Sequence, residues 1–314
     1  MTSVTTSLTG LRVPVVAAPM FLISGPDLVV AACQAGVVGA FPTPNCRTVA
    51  DLDAWMGSIS DKLAGSAAAP WAVNLVTHRT NARLADDLQL VAEYRPPIVI
   101  TALGSPTPAI ETVKSYGGTV IADVVTLKLA RKAVAAGADG LACVCAGAGG
   151  HTGFLSPFAF ISAVRDFFDG LVTVGGGISD GAGVAGAIAA GADLVYMGTR
   201  FIATDESMAP DAYKQMVVEH GPDDLVITDG ITGTPASWLR PSLVAHGLDP
   251  DNLDRPAGRD YDSTADVAGR WKDLWAAGQG LQTIRAVEPA AVVVDRLAAE
   301  YQTAAARLAH RAPG

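Results

Sequence analysis

Eight apolar runs, each followed by a stretch of helical periodicity, limit what this chain can become. The runs lie at residues 13–20, 37–41, 71–77, 98–103, 119–124, 140–146, 171–174 and 193–197. Helical patterns follow them at 27–35, 48–63, 81–94, 108–116, 126–136, 157–168, 180–190 and 208–220. Unbroken apolar runs are those of strands covered on both faces, and strand–helix alternation joins parallel strands by right-handed crossovers. Eight such units close a barrel, whereas an open doubly wound sheet uses fewer. The predicted fold is α/β, a (β/α)8 TIM barrel, with 208–220 as its last helix.

The barrel and its closing helices are expected to occupy residues 1–220 and 263–314, which include helices at 264–275 and 289–308 and a frayed end from 309. Residues 221–262 are rich in Pro, Gly and Asp around Trp238 and Arg240 and read as an irregular lid or insertion beside the barrel mouth. Thr48 and Asp51 have the spacing of a capping box at the start of the second helix.

A net charge of -9 disfavours nucleic acid and anionic membranes as partners. The four cysteines, Cys33, Cys46, Cys143 and Cys145, lie in apolar patterns without CxxC spacing, which predicts reduced thiols in the core. No set of His, Asp or Glu converges at ligand spacing, so no metal is expected. Residues 1–10 lack a cationic segment, and no apolar run reaches the roughly 18 residues of a membrane span, so the expected location is cytoplasmic.

The stretch 138–153, ADGLACVCAGAGGHTG, carries the chemistry. A buried strand ends in Gly147, Ala148, Gly149 and Gly150, bare backbone against which a flat ligand can lie, and His151 follows directly. Active sites of parallel barrels lie at the C-terminal strand ends. That rule gathers Met20, Asn74, Asp123, His151, Gly175, Gly176, Gly177, Gly198 and Thr199 at one mouth. Barrels commonly hold a phosphate after their last two strands, where VGGGISDG leads into a helix N-terminus and MGTRF adds a glycine and a hydroxyl. The spacing to Gly181 is one residue too long for a GxGxxG fingerprint, so a mononucleotide such as FMN suits better than a dinucleotide. Asp123 reads either as a capped loop carboxylate or as a group beside that ligand, and Thr152 as a plain loop residue or as one that orients the ring.

Six segments in order resemble the flavin-dependent nitronate monooxygenases, formerly called 2-nitropropane dioxygenases. They are AAPM from Ala17, VNL from Val73, AGGHTG from Ala148, GGGISDG from Gly175, MGTRF from Met197 and AGQG from Ala277. The resemblance implies a TIM barrel with non-covalent FMN. It implies that Ala18, Pro19, Met20 and Asn74 contact the flavin ring and that Gln279 lies near it. It also implies that Gly176, Gly177, Gly198 and Thr199 hold the phosphate and that His151 is catalytic. Two positions depart from relatives: Gly147 stands where many carry Glu, and Asp123 where some reductase relatives carry a basic group.

The activity so implied is FMN-dependent oxidation of an alkyl nitronate by O₂ to a carbonyl compound and nitrite. His151 would act as general base toward a neutral nitroalkane or, as imidazolium, hold the nitronate anion, since its ordinary pKa of about 6.5 allows both. The alternative is an NAD(P)H-dependent flavin reductase acting on a quinone or an enoyl thioester. A flavin-independent barrel enzyme for a phosphorylated metabolite and a non-catalytic flavin-binding component are further readings. The expected partners are a small-molecule substrate and O₂, with a homodimer left open.

Overall fold

The computed structural model describes residues 8, 10–253 and 272–311. Most of the helix expected at 264–275, the boundary expected at 262/263 and residues 312–314 lie outside them.

Eight parallel strands close a barrel in the order β1 (Val15–Ala17), β2 (Val38–Pro42), β3 (Trp71–Val76), β4 (Ile98–Ala102), β5 (Thr119–Val124), β6 (Gly140–Val144), β8 (Leu171–Gly175) and β9 (Leu194–Met197). Closure runs from β9 to β1, where Val15 pairs with Val195 and Ala17 with Met197. The strands are buried on both faces because each apolar run serves two layers. Val16, Val38, Ala40, Ala72, Ile98, Ile100, Ile121, Ala142 and Leu194 fill the lumen. Their neighbours along the strands pack outward against α1 (Pro26–Ala35), α2 (Val49–Leu63), α3 (Leu84–Tyr94), α4 (Thr107–Ser115), α5 (Leu127–Ala135), α6 (Pro157–Arg165) and α7 (Gly181–Ala189). The capping box forms: Thr48 Oγ1 accepts from Asp51 N at 3.0 Å and Thr48 N donates to the Asp51 carboxylate at 2.9 Å. All four cysteines are free and buried.

Beyond β9 the chain departs from its expected order. A single turn, α8 (Thr199–Ile202), leads to α9 (Asp211–Glu219), the segment predicted as the last barrel helix. Instead Tyr213 and Val217 of α9 pack with Ile23, Leu281 and Ala277, away from the helix layer. The stretch predicted as irregular contains a hairpin, β10 (Leu225–Thr228) and β11 (Ala236–Leu239), followed by α10 (Arg240–Ala245). β11 also pairs antiparallel with β7 (Gly150–His151), which makes a three-stranded sheet outside the barrel. These strands are short and their partner lies some 85 residues away, so no local pattern announces them.

The eighth helical position belongs to α11 (Ala290–Arg311), which packs between α7 and α1. Val293, Val294 and Leu297 meet Leu28 and Ala32 of α1 and Val184 and Ala187 of α7. The approach is close: a Cβ on Gly181 would stand 2.2 Å from the Leu297 carbonyl oxygen. Arg200, 2% exposed, anchors the start of α11 through Glu288 at 3.0 Å, and Arg296 reaches the other oxygen of that carboxylate at 2.6 Å. Removing one partner of such a buried pair typically costs about 3–5 kcal/mol. Among the described residues no helix is long and apolar enough to cross a membrane.

Candidate active site

The turn after β1 is fixed by two side chains that pattern reading missed. Ala18 N donates to Met197 O at 2.9 Å, which ties the tops of β1 and β9. Ser24 Oγ accepts from Met20 N at 3.0 Å and donates to Ala18 O at 3.2 Å. Asn45 donates to Met20 O and Ser24 O at 3.1 and 2.8 Å and accepts from Leu22 N at 2.7 Å. Met20 is thereby held against Gly198, its Sδ 3.4 Å from where a Cβ there would stand. Ser24, four residues beyond Met20, was a local signal; Asn45, on a different loop, gave none.

Four segments interleave on the rim. Gln279 N donates to Gly147 O at 2.9 Å, and Gly278 N donates to Thr199 Oγ1 at 2.9 Å. Ser179 Oγ donates to Gly280 O at 2.8 Å. The loop after β6, the turn after β8, the start of α8 and residues 277–280 therefore form one patch. Side chains are excluded from it by contact: a Cβ on Gly149 would lie 2.6 Å from Gly278 N and 2.7 Å from the Ala277 carbonyl carbon. Gly147 has φ +90°, and a Cβ there would meet Gln279 Oε1 at 2.9 Å, so the Glu of relatives has no comfortable place.

The helix expected to receive a phosphate is already capped. Asp180 Oδ1 accepts from Gly183 N at 2.7 Å, which puts a carboxylate at the N-terminus of α7. An anion is better received by the turn itself, where Gly177 has φ +69°, and by Gly198 at the start of α8, which has no side-chain cap. A cleft of about 410 Å³ runs along this turn, lined by Gly176, Gly177, Ser179, Asp180 and Phe158 among others.

His151 is positioned by the hairpin. Its partner in the ladder is Ala236 and that of Gly150 is Ser237, while Thr152 N donates to Pro235 O at 3.1 Å. Thr152 Oγ1 donates to Cys145 O at 3.1 Å, so this hydroxyl serves the loop. Ser237 Oγ donates to Ala277 O at 2.7 Å, which locks the hairpin to the glycine patch. Leu239 N reaches Trp275 O at 2.8 Å and extends the seam. His151 is half-buried, and desolvation lowers its pKa, which favours the neutral imidazole.

Asn74 and Asp123 stand at the C-terminal ends of β3 and β5, apart from the patch. Asn74 is 6% exposed and makes one long contact, Nδ2 to Ile100 O at 3.4 Å. Asp123 keeps part of its surface open, but its Oδ1 is sealed from solvent without a hydrogen-bond partner. Burial pushes its pKa up to about 7.

The arrangement suits a flat ring with an anionic tail. Bare backbone lines one wall, polar groups with unspent hydrogen-bonding capacity line another, and a half-buried imidazole stands at the edge. Among the described residues no group of three or more His, Cys, Asp or Glu could hold a metal ion.

Comparison with known proteins identifies the family. The family described as nitronate monooxygenase matches residues 2–299. A nitronate monooxygenase of Paraburkholderia phytofirmans is 28% identical over 94% of both chains. A Mycobacterium tuberculosis protein, (3aS,4S,5R,7aS)-5-hydroxy-7a-methyl-1-oxo-octahydro-1H-indene-4-carboxyl-CoA dehydrogenase, is 33% identical over 76% of this chain, and the match spans just 66% of that relative's length. The crystal structure of nitroalkane oxidase from Streptomyces ansochromogenes superposes with a TM-score of 0.82 at 26% identity, covering 98% of this chain and 100% of that one.

Proposed function

The chain belongs to the nitronate monooxygenase family of flavin-dependent oxidoreductases, and from that premise we propose that it uses FMN to oxidise alkyl nitronates with O₂ to a carbonyl compound and nitrite. The observation that supports this reading is the placement of His151: one half-buried imidazole on a strand clamped to the glycine patch. When bound, FMN supplies the electron acceptor that links the substrate to dioxygen.

The residues present divide the remaining work. Backbone N–H groups of Gly176, Gly177, Gly198 and Thr199 receive the phosphate. Ala18, Pro19, Met20, Gly175, Met197 and the bare backbone of Ala148, Gly149 and Gly150 bound the ring, with Asn74, Asp123 and Gln279 offering polar contacts to its edge. Of the two roles open to His151, the lowered pKa supports the base. Its neutral nitrogen takes the α-proton of a nitroalkane, which leaves the nitronate beside the ring and the proton on the imidazole. The hairpin of β10 and β11 acts as the lid that holds His151 at the mouth and keeps water from it.

A second reading has its own support: the relative that dehydrogenates a carboxyl-CoA makes a thioester substrate, reduced or oxidised at the same flavin, the rival. Visible spectra under nitrogen separate them. Propyl nitronate is expected to bleach the flavin and NADH to leave it coloured. Bleaching by NADH alone, with colour restored by an enoyl thioester, would establish the rival. A protein that stays colourless with added FMN would overturn both.

A further inference from the structure

The barrel lumen is apolar except at its upper end. There Asp123 Oδ1, Thr173 Oγ1 and Tyr196 Oη are all shut off from solvent with no hydrogen-bond partner. Asp123 pairs in register with Ala142, and Ala142 with Thr173, so the two polar residues stand at one level of the barrel with Ala142 between them. Tyr196 stands on the next strand, β9, close enough for the Asp123 carboxyl to oppose its ionisation. Below them lie Val16, Val38, Ala72, Ile98, Ile100 and Ile121, which offer no charge and no hydrogen bond.

A carboxylate there would have no counter-charge. The ionisable group that shares the lumen with Asp123 is Tyr196 of β9, while Cys143 of β6 lies in the outer layer; burial pushes both up and keeps them neutral, and His151 in the loop after β6 is pushed down and also neutral. No cation acts on the Asp123 carboxyl. An ion without partner in such a floor is expensive, whereas a protonated acid keeps an O–H to donate.

We propose that Asp123 is a protonated carboxylic acid in the floor of the mouth and donates its O–H to the flavin ring, with Thr173 and Tyr196 lining the buried side of the same carboxyl. Resting on the flavin reading above, this adds the protonation state and a pH limit to cofactor binding. The rise of the Asp123 pKa to about 7 is consistent with it. Burial lowers the pKa of His151 and raises those of Cys143, Cys145 and Tyr196, so none of these four changes charge alongside Asp123 between about pH 6.5 and 9.

Two measurements test this. Infrared spectra of the protein without FMN should show a protonated-carboxyl band at pH 6 that fades as the pH rises through about 7 to 8 and is missing in Asp123→Asn. Calorimetric titration with FMN should show wild-type affinity falling about tenfold or more between pH 6.5 and 9, while Asp123→Asn, which can still donate, changes by less than about twofold. FMN affinity level with pH in the wild type, or a band unaffected by the substitution, overturns the proposal while leaving the flavin reading intact. No FMN binding at any pH overturns both. If Asp123→Asn fails to fold, the two wild-type pH series decide alone.

Discussion

The turn after β8 and the loop after β6 present glycine backbone to the same mouth, yet they are held there by different means. The first is shaped mainly by its own segment: Asp180 caps α7 three residues before Gly183 and the turn follows directly from its strand, with a distant tie from Ser179 Oγ to Gly280 O. The second is remote: Gly150 and His151 take their geometry from Ser237 and Ala236, and the loop is clasped by Gln279 and Gly278. The phosphate end therefore takes its helix cap from its own segment, and distant residues only fasten it to the rim. The imidazole reaches its place only when a hairpin and a segment near residue 277 arrive together.

Three substitutions probe that contrast, taken from the largest expected effect. His151→Asn should retain FMN yet lower kcat/KM for a neutral nitroalkane by about 10²–10⁴-fold, read by steady-state oxygen consumption. The sign of the pH dependence follows from burial. A lowered pKa means the base stays unprotonated as the pH falls past the ordinary value of about 6.5, so at saturating FMN wild-type turnover should hold through neutrality and drop only below it.

Ser237→Ala breaks the lock between hairpin and patch. The loss of a buried hydrogen bond should destabilise the fold by about 1–3 kcal/mol in urea unfolding and lower turnover more than FMN affinity. Equal losses in both would mean that the hairpin supports the whole mouth rather than the imidazole side. Asp180→Ala removes only a helix cap, so about 1 kcal/mol of stability should go with little change in kcat. A turnover defect as large as that of Ser237→Ala would erase the distinction between the two sides.

The same division governs what could be read in advance. The strands and most of the helices were legible because apolar runs and 3.6-residue periodicity are local consequences of burial. Thr48 and Asp51 announced their capping box for the same reason. The glycines of the mouth were legible as bare backbone, although Asp180 at the helix start was not weighed as the anion already in residence there. Asn45 and Ser237 gave no signal, since each serves a loop far from it in sequence. Asp123 could be seen as a carboxyl at a strand end, but its sealed oxygen depends on Ala142, Thr173 and Tyr196 brought around it by barrel closure.

By itself, then, the order of residues determined a closed eight-stranded parallel barrel and which strand ends would share a mouth, because alternation and handed crossovers leave few other ways to bury such runs. Tertiary structure alone decided that α11 rather than α9 completes the helix layer, that residues 225–239 fold into a hairpin, and that this hairpin carries His151. Those choices rest on contacts between segments far apart in the chain, where shape and hydrogen bonding at the meeting surface select the partner and no local pattern records it.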